Sequence, residues 1–418
     1  MFVDPLIFVR AVHFAATALA CGTVAFLVLA AEPAARIDSG FSNLRRRLVV
    51  LVWIALAVAV LSGVAWLILL ASDILGVSIA EACLHGGAWP VVTDTRFGLV
   101  WAIRFVFALS LSLLMLWPAT RMLQLAAAAA VMALPALVGH AGATPGLVGD
   151  LHLLSDMAHL LAAGIWLGGL AALALVLTQA RRSKKSTTRD LAVVATRHFS
   201  ILGMVSVGVL LLSGLINCWN LMGGPRDLLM TEYGRLVALK IGLFAAMIAI
   251  AAANRFYLTP RLPKPDASRA LTRNSLAELG LGLCILSLVG ILGTLSPSAH
   301  VHASPLPIPP EAAFVHIHDA RAMADVTIDP GRQGKADVTI RVMREDTTQF
   351  AVKDVRLALD PPKAGTQSTE RIASEQSDGA WSVRDVELPD AGIWTVTVTV
   401  TTKGGSRIVL DAPIVIER

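Results

Sequence analysis

Eight long apolar runs set what this chain can fold into: residues 5–31, 48–72, 97–117, 120–139, 151–178, 199–219, 234–253 and 276–295. A bilayer core of about 30 Å needs about 20 residues at about 1.5 Å each. Inside it a backbone must satisfy its own hydrogen bonds, which a helix does. A soluble helical core would show a polar face every turn, and these runs mostly do not. The chain as a whole is 55% hydrophobic and only 16% charged. The first run has Asp4 and Arg10 at its start and no small-residue cleavage pattern before Glu32, so it is expected to be a retained helix rather than a signal peptide.

The runs repeat. His13 is followed nine residues later by Gly22, and His159 at the same distance by Gly168. Downstream, Leu61-Ser62-Gly63 matches Leu212-Ser213-Gly214, and Leu137-Val138-Gly139 matches Leu288-Val289-Gly290. Between them, Phe97-Gly98 with Arg104 six residues on matches Tyr233-Gly234 with Lys240. The order of all four matches is kept, which points to a duplicated four-helix unit, about 1–146 and 147–298. Basic residues set the orientation. The loops after the first, third, fifth and seventh runs hold 16 Lys and Arg, and the opposite loops hold Arg96, Arg226 and Arg235. Both termini are therefore expected outside the cytoplasm, and the two units should be parallel repeats.

Beyond residues 1–298 the composition changes. Residues 299–311 form a proline-rich linker, and 312–418 alternate polar and apolar residues in short runs, as in Trp394 to Val400, with turn signals such as Pro330-Gly331 and Asp378-Gly379. Such a pattern predicts an all-β, immunoglobulin-like sandwich with Trp381 and Trp394 in its core. Residues 300–418 carry 13 Lys and Arg against 17 Asp and Glu. The excess positive charge thus belongs to the membrane loops and does not indicate nucleic-acid binding. There is no CxxC pair, nucleotide motif or phosphate-binding glycine loop, and nothing marks the chain as an enzyme.

The chemistry lies with the histidines. His13 and His159 sit about two turns inside the outer surface, His85, His140 and His152 at outer loops or helix ends, and only His198 at the inner face. His152, Asp156 and His159 are spaced i, i+4, i+7 and project from one helix face. His13, His140, His152, Asp156 and His159 are the candidate metal ligands, since ionisable groups in a membrane are costly and usually functional. Imidazole and carboxylate suit copper, zinc, nickel or iron. Cys83, His85 and the His-x-His pairs His300/His302 and His316/His318 are accessory candidates. Arg10, Arg104 and Lys240 are candidate charge partners. The Trp166, Gly168 and Gly169 cluster is expected to serve helix packing.

At these residues the chain resembles the copper resistance protein D (CopD/PcoD) family. The similarity is carried by the His13 helix, Gly139-His140-Ala141, His152 through Asp156, His159, Trp166-Leu167-Gly168-Gly169, Arg197-His198-Phe199-Ser200, Ser213-Gly214, Tyr233-Gly234-Arg235, Lys240 and Asn254-Arg255. The resemblance implies a bacterial inner-membrane protein that moves copper from the periplasm toward the cytoplasm with a periplasmic carrier of the CopC type. The C-terminal domain looks, more loosely, like the YtkA-like β-sandwich. Two other readings stay open. Paired histidines at equal depth are also how a bundle holds haem b, with the cations meeting propionates, and the chain is also compatible with a copper sensor or assembly factor.

Overall fold

The computed structural model describes residues 4–34, 41–75, 78–84, 88–138, 146–222, 224–262, 264–295, 309, 311–319, 322–343, 352–361, 369–403, 405 and 407–417. Among these described residues eight helices are long and apolar enough to cross a membrane: α1 (Pro5–Ala34), α2 (Phe41–Ser72), α3 (Arg96–Leu114), α4 (Pro118–Val138), α5 (Gly149–Arg182), α6 (Ser186–Leu221), α7 (Glu232–Arg261) and α8 (Pro265–Leu292). Three of them begin well before their apolar runs, at Phe41, Ser186 and Pro265. These extensions carry Arg45–Arg47, Arg189, Arg197, Arg269 and Arg273. Leaving the hydrocarbon does not end a helix whose backbone bonds are internal; it only permits charge on its surface.

Two features show how the repeat is built. The first is the entry to the third helix of each unit. Thr95 caps α3 by accepting from the Gly98 amide at 3.0 Å, and Thr231 caps α7 by accepting from Gly234 at 2.9 Å. Each threonine hydroxyl also donates back to the preceding short helix, to Val91 O and to Asp227 O. A Cβ on Gly98 or Gly234 would collide with those same two carbonyl oxygens.

The second is the crossing of α1 and α5. A Cβ on Gly22 would lie 2.6 Å from the Gly168 Cα and against the Gly164 carbonyl oxygen. One on Gly168 would lie 2.9 Å from the Gly22 Cα and against the Ala18 carbonyl oxygen. Ala18/Gly22 and Gly164/Gly168 are equivalent pairs four residues apart, so the contact is self-complementary. Three spanning helices, α2 to α4, lie between α1 and α5, so if each crosses the membrane the two run in the same direction. Gly169 faces Phe199 closely, so both glycines of the cluster serve helix packing.

Phe26, Leu27, Leu48, Leu111, Leu177 and Met247 fill the bundle interior, while Leu61, Val106, Leu212 and Leu215 point outward and exposed. Such an apolar outer surface suits lipid and not water.

The C-terminal domain is two antiparallel sheets, as expected. Its strands are β1 (Ala313–Asp319), β2 (Ala322–Asp329), β3 (Gly334–Met343), β4 (Val352–Asp360), β5 (Thr369–Ile372), β6 (Ser374–Glu375), β7 (Trp381–Leu388), β8 (Gly392–Thr402) and β9 (Arg407–Ile416). The order is β1-β2-β3-β7-β6 in one sheet and β5-β4-β8-β9 in the other. Trp394, Val396, Val398 and Val400 alternate inward along β8, and Trp381 joins the same core. The Asp378-Gly379 turn has Gly379 at φ 78°, a conformation that favours glycine. By contacts the chain divides into two units, Met1–Leu69 with Ala88–Gly142 and Leu151–His300, and Leu70–Gly87 with Ala143–Asp150 and Val301–Arg418.

Candidate functional site

Each repeat holds its first-helix histidine in the same way. In the first, His13 on α1 is 2% exposed, and its Nδ1 lies 3.0 Å from the Ala59 carbonyl and 3.2 Å from the Ser62 hydroxyl, both on α2. In the second, His159 on α5 is partly buried, with Nδ1 2.9 Å from the Ser213 hydroxyl on α6. Both serine hydroxyls donate to the carbonyl four residues back, Ser62 to Val58 and Ser213 to Val209, each at 2.6 Å. Each serine is therefore an acceptor toward its histidine, and the ring proton is assigned to Nδ1. That leaves the Nε2 lone pair as the free coordinating atom, an arrangement in which a second-layer hydrogen bond orients a metal-binding imidazole. His13 Nε2 is buried with no protein partner among the described residues. The glycine after the first serine leaves room for the rings, since a Cβ on Gly63 would approach Trp101 to 2.9 Å and His13 Cε1 to 3.3 Å; a Cβ on Gly214 would meet His159 Cε1 only at an ordinary contact of 3.8 Å.

A cation accompanies each histidine. Arg104 on α3 lies within electrostatic reach of His13, and Lys240 on α7 within reach of His159. Arg104 is 3% exposed; its Nε donates to Val131 O at 3.1 Å and its guanidinium lies 4.2 Å over the Trp101 ring. Trp101 and Trp66 also flank the imidazole, with ring centroids 4.6 and 5.7 Å away. Arg10 stacks over Trp66 at 5.0 Å. The second pocket has a carboxylate where the first has a guanidinium: Asp156 and Arg10 each lie three residues before the histidine, and their partners Asn217 and Trp66 each lie four residues after the serine. Asp156 accepts from Asn217 Nδ2 at 3.2 Å and lies within electrostatic reach of His152 and Lys240.

The described candidate ligands are thus spread over two corresponding pockets, His13 in the first repeat and His152, Asp156 and His159 in the second. Among the described residues no three of His, Cys, Asp and Glu converge as a metal cluster. His85, His140, His300 and His302 lie outside the described residues, as does the side chain of His318. Cys83 is an exposed free thiol. His316 on β1 meets Asp325 on the paired strand β2, Nδ1 to Oδ1 2.5 Å. Sequence reasoning used Ser62 and Ser213 only as repeat markers and missed that they hold the histidines; their identical offset from a glycine in both units was the available signal. It also passed over Trp66 and Trp101, and over Glu278, an isolated acid within the last apolar run.

The fold and these pockets define a multi-pass membrane protein built from a duplicated helical unit, with an imidazole–hydroxyl–cation constellation in each half. Residues 1–150 match the family described as Copper resistance protein D-like, N-terminal domain, and residues 193–292 match Copper resistance protein D. The chain is 31% identical over 257 residues to Copper resistance protein D of Pseudomonas syringae pv. tomato, covering 57% of this chain and 81% of that one. It is 32% identical over 214 residues to Inner membrane protein YebZ of Escherichia coli (strain K12), 50% of this chain and 72% of the relative. It is 29% identical over 256 residues to Copper transport protein CutJ of Bacillus subtilis (strain 168), covering 59% of this chain but only 43% of CutJ. This chain belongs to the copper resistance protein D family.

Proposed function

We propose that the protein transports copper across the bacterial inner membrane, from the periplasm toward the cytoplasm, as a carrier and not as an enzyme. The observation that supports this most is the duplicated histidine whose Nδ1 is committed to a serine and whose Nε2 stays free to coordinate. The names of two relatives, a copper transport protein and a copper resistance protein, point the same way. In this reading copper arrives at the outer mouth near His140 and His152, delivered by a CopC-type carrier or by the sandwich domain, and then passes to His13 and to His159 with Asp156. Imidazole and carboxylate hold a metal without the thiolate cage that would prevent release. Both termini and the sandwich lie in the periplasm. The adjoining cations favour sites that bind weakly and let go, since a positive neighbour opposes a bound metal.

The test is copper stoichiometry and uptake for His13→Ala, His159→Ala, the double variant and His140→Ala, each in folded, detergent-solubilised or vesicle-embedded protein. Each of the first two should lose part of the bound copper and the double variant the outer-half copper altogether. Unchanged binding and uptake in the double variant would overturn the reading. So would a haem absorption band that disappears with the same histidines.

A further inference from the structure

We propose that the second repeat contains, in its inner half, a binding site for a neutral lipid-soluble molecule with a hydrogen-bonding headgroup, of the quinone class. The site is a cavity of about 380 Å³ between α6 and α7, backed by α5 and α8. That volume is in the range of small-molecule sites. Its walls are apolar, with Trp166, Leu170, Phe199, Val207 and Ile248 among them. Two glycines on α6 help to make the space: a Cβ on Gly203 or Gly208 would meet nothing within 4 Å. The rim residues Met204, Leu211 and Phe256 are exposed on the surface that faces lipid.

One end of this cavity is polar, and its polar groups are not all used. Glu278 on α8 is 1% exposed and accepts from Asn254 Nδ2 at 2.6 Å; Asn254 Oδ1 in turn accepts from Asn274 at 2.8 Å. No cation pairs with Glu278, and its second carboxyl oxygen has no protein partner among the described residues. Ser275, one turn earlier, is 1% exposed and lines the cavity with a hydroxyl that has no hydrogen-bond partner among the described residues. Its neighbour Thr272 returns its hydroxyl to the helix, to Ser268 O at 2.8 Å. Arg255 lies at the same end and donates to Ser200 at 2.6 Å. Asn254 and Arg255 open a π-helical turn, Asn254–Leu258, a local departure that is frequent at functional sites.

These features select among occupants. A metal ion would find one carboxylate, no histidine or cysteine in the lining, and an arginine nearby. A lipid acyl chain would fit the walls but would leave the Ser275 hydroxyl and the Glu278 oxygen buried and unpaired. A flat apolar ring with carbonyl or hydroxyl oxygens satisfies both ends: its oxygens accept from Arg255 and Ser275, a hydroxyl of its reduced form donates to the Glu278 carboxylate, and its tail leaves past Phe256 into lipid. The inference goes beyond copper handling and does not depend on it.

Trp166 lines the cavity, so a quinone bound there should quench its fluorescence. Decyl-substituted benzoquinone is titrated into the full-length solubilised protein, with decylbenzene as the headless competitor. Saturable quenching is expected, reduced in Trp166→Phe and resistant to decylbenzene. Gly203→Leu fills open space, and Ser275→Ala removes only a hydroxyl; Gly203→Leu should abolish saturable quenching and Ser275→Ala weaken the affinity about tenfold. Glu278→Gln is a third variant, and circular dichroism with gel filtration establishes which variants are folded. Non-saturable quenching, full retention in folded Gly203→Leu, or equal displacement by decylbenzene, the mark of an acyl-chain groove, would each overturn the proposal.

Discussion

Ser62 and Ser213 serve equivalent histidines, but the two rings are not equally secured. His13 Nδ1 also faces the Ala59 carbonyl at 3.0 Å and its ring is packed by Trp66 and Trp101, whereas Ser213 is the hydrogen-bond partner of His159. Removing the serine should therefore matter more in the second repeat. Ser213→Ala is expected to lower the copper affinity of its pocket about 10–100-fold, as losses of second-layer partners do. Ser62→Ala should cost several times less, because a carbonyl acceptor remains. Isothermal titration of the two variants checks this, and equal losses would contradict the assignment of ring orientation to these partners. The imidazoles were legible in the sequence because a polar residue in an apolar run stands out. Their partners were not, since a serine can return its hydroxyl to its own helix and be silent in the pattern.

At the scale of the helix, the glycines divide into two kinds that the sequence does not distinguish. Gly22 and Gly168 sit where two backbones touch, and Gly203 and Gly208 border open space. Gly22→Leu or Gly168→Leu should force α1 and α5 apart and lower stability by about 1–3 kcal/mol or more, the usual cost of overpacking. Gly208→Ala should change stability little. Thermal unfolding in detergent separates the two classes, and a Gly22→Leu protein as stable as the parent would remove the crossing as a structural contact. The eight runs and the alternating strands were legible because burial imposes a period on residue type. The true starts of α2, α6 and α8 were not, because the charged first turns carry no apolar signal although the helix continues through them. Glu278 went unread for another reason: only its neighbours on α7, brought close by the fold, show that it has an amide on one side and a cavity on the other.

For the whole molecule, the eight apolar helices among the described residues would return the chain to the side from which it entered, and the proposal that this is the outer side rests on the 16 basic loop residues against 3. Protease added to spheroplasts should therefore remove residues beyond about Pro305 and spare the loop around Ser183 to Lys185. A protected sandwich, or a cut at Ser183 to Lys185, would reverse the orientation and with it the direction of every step proposed for copper.

Gly22 and Gly168 lie nine residues beyond their histidines, so each imidazole is carried on an arm of about 13.5 Å measured from the point where α1 and α5 touch. Four small residues make that point a fulcrum with little side-chain bulk to resist tilting. For arms of equal length, a tilt of about 10° around it displaces either imidazole by about 2 Å, comparable with the length of a nitrogen–metal bond. The mechanical advantage is the same for both pockets, so rocking of one half against the other would change the grip on the two histidines in step.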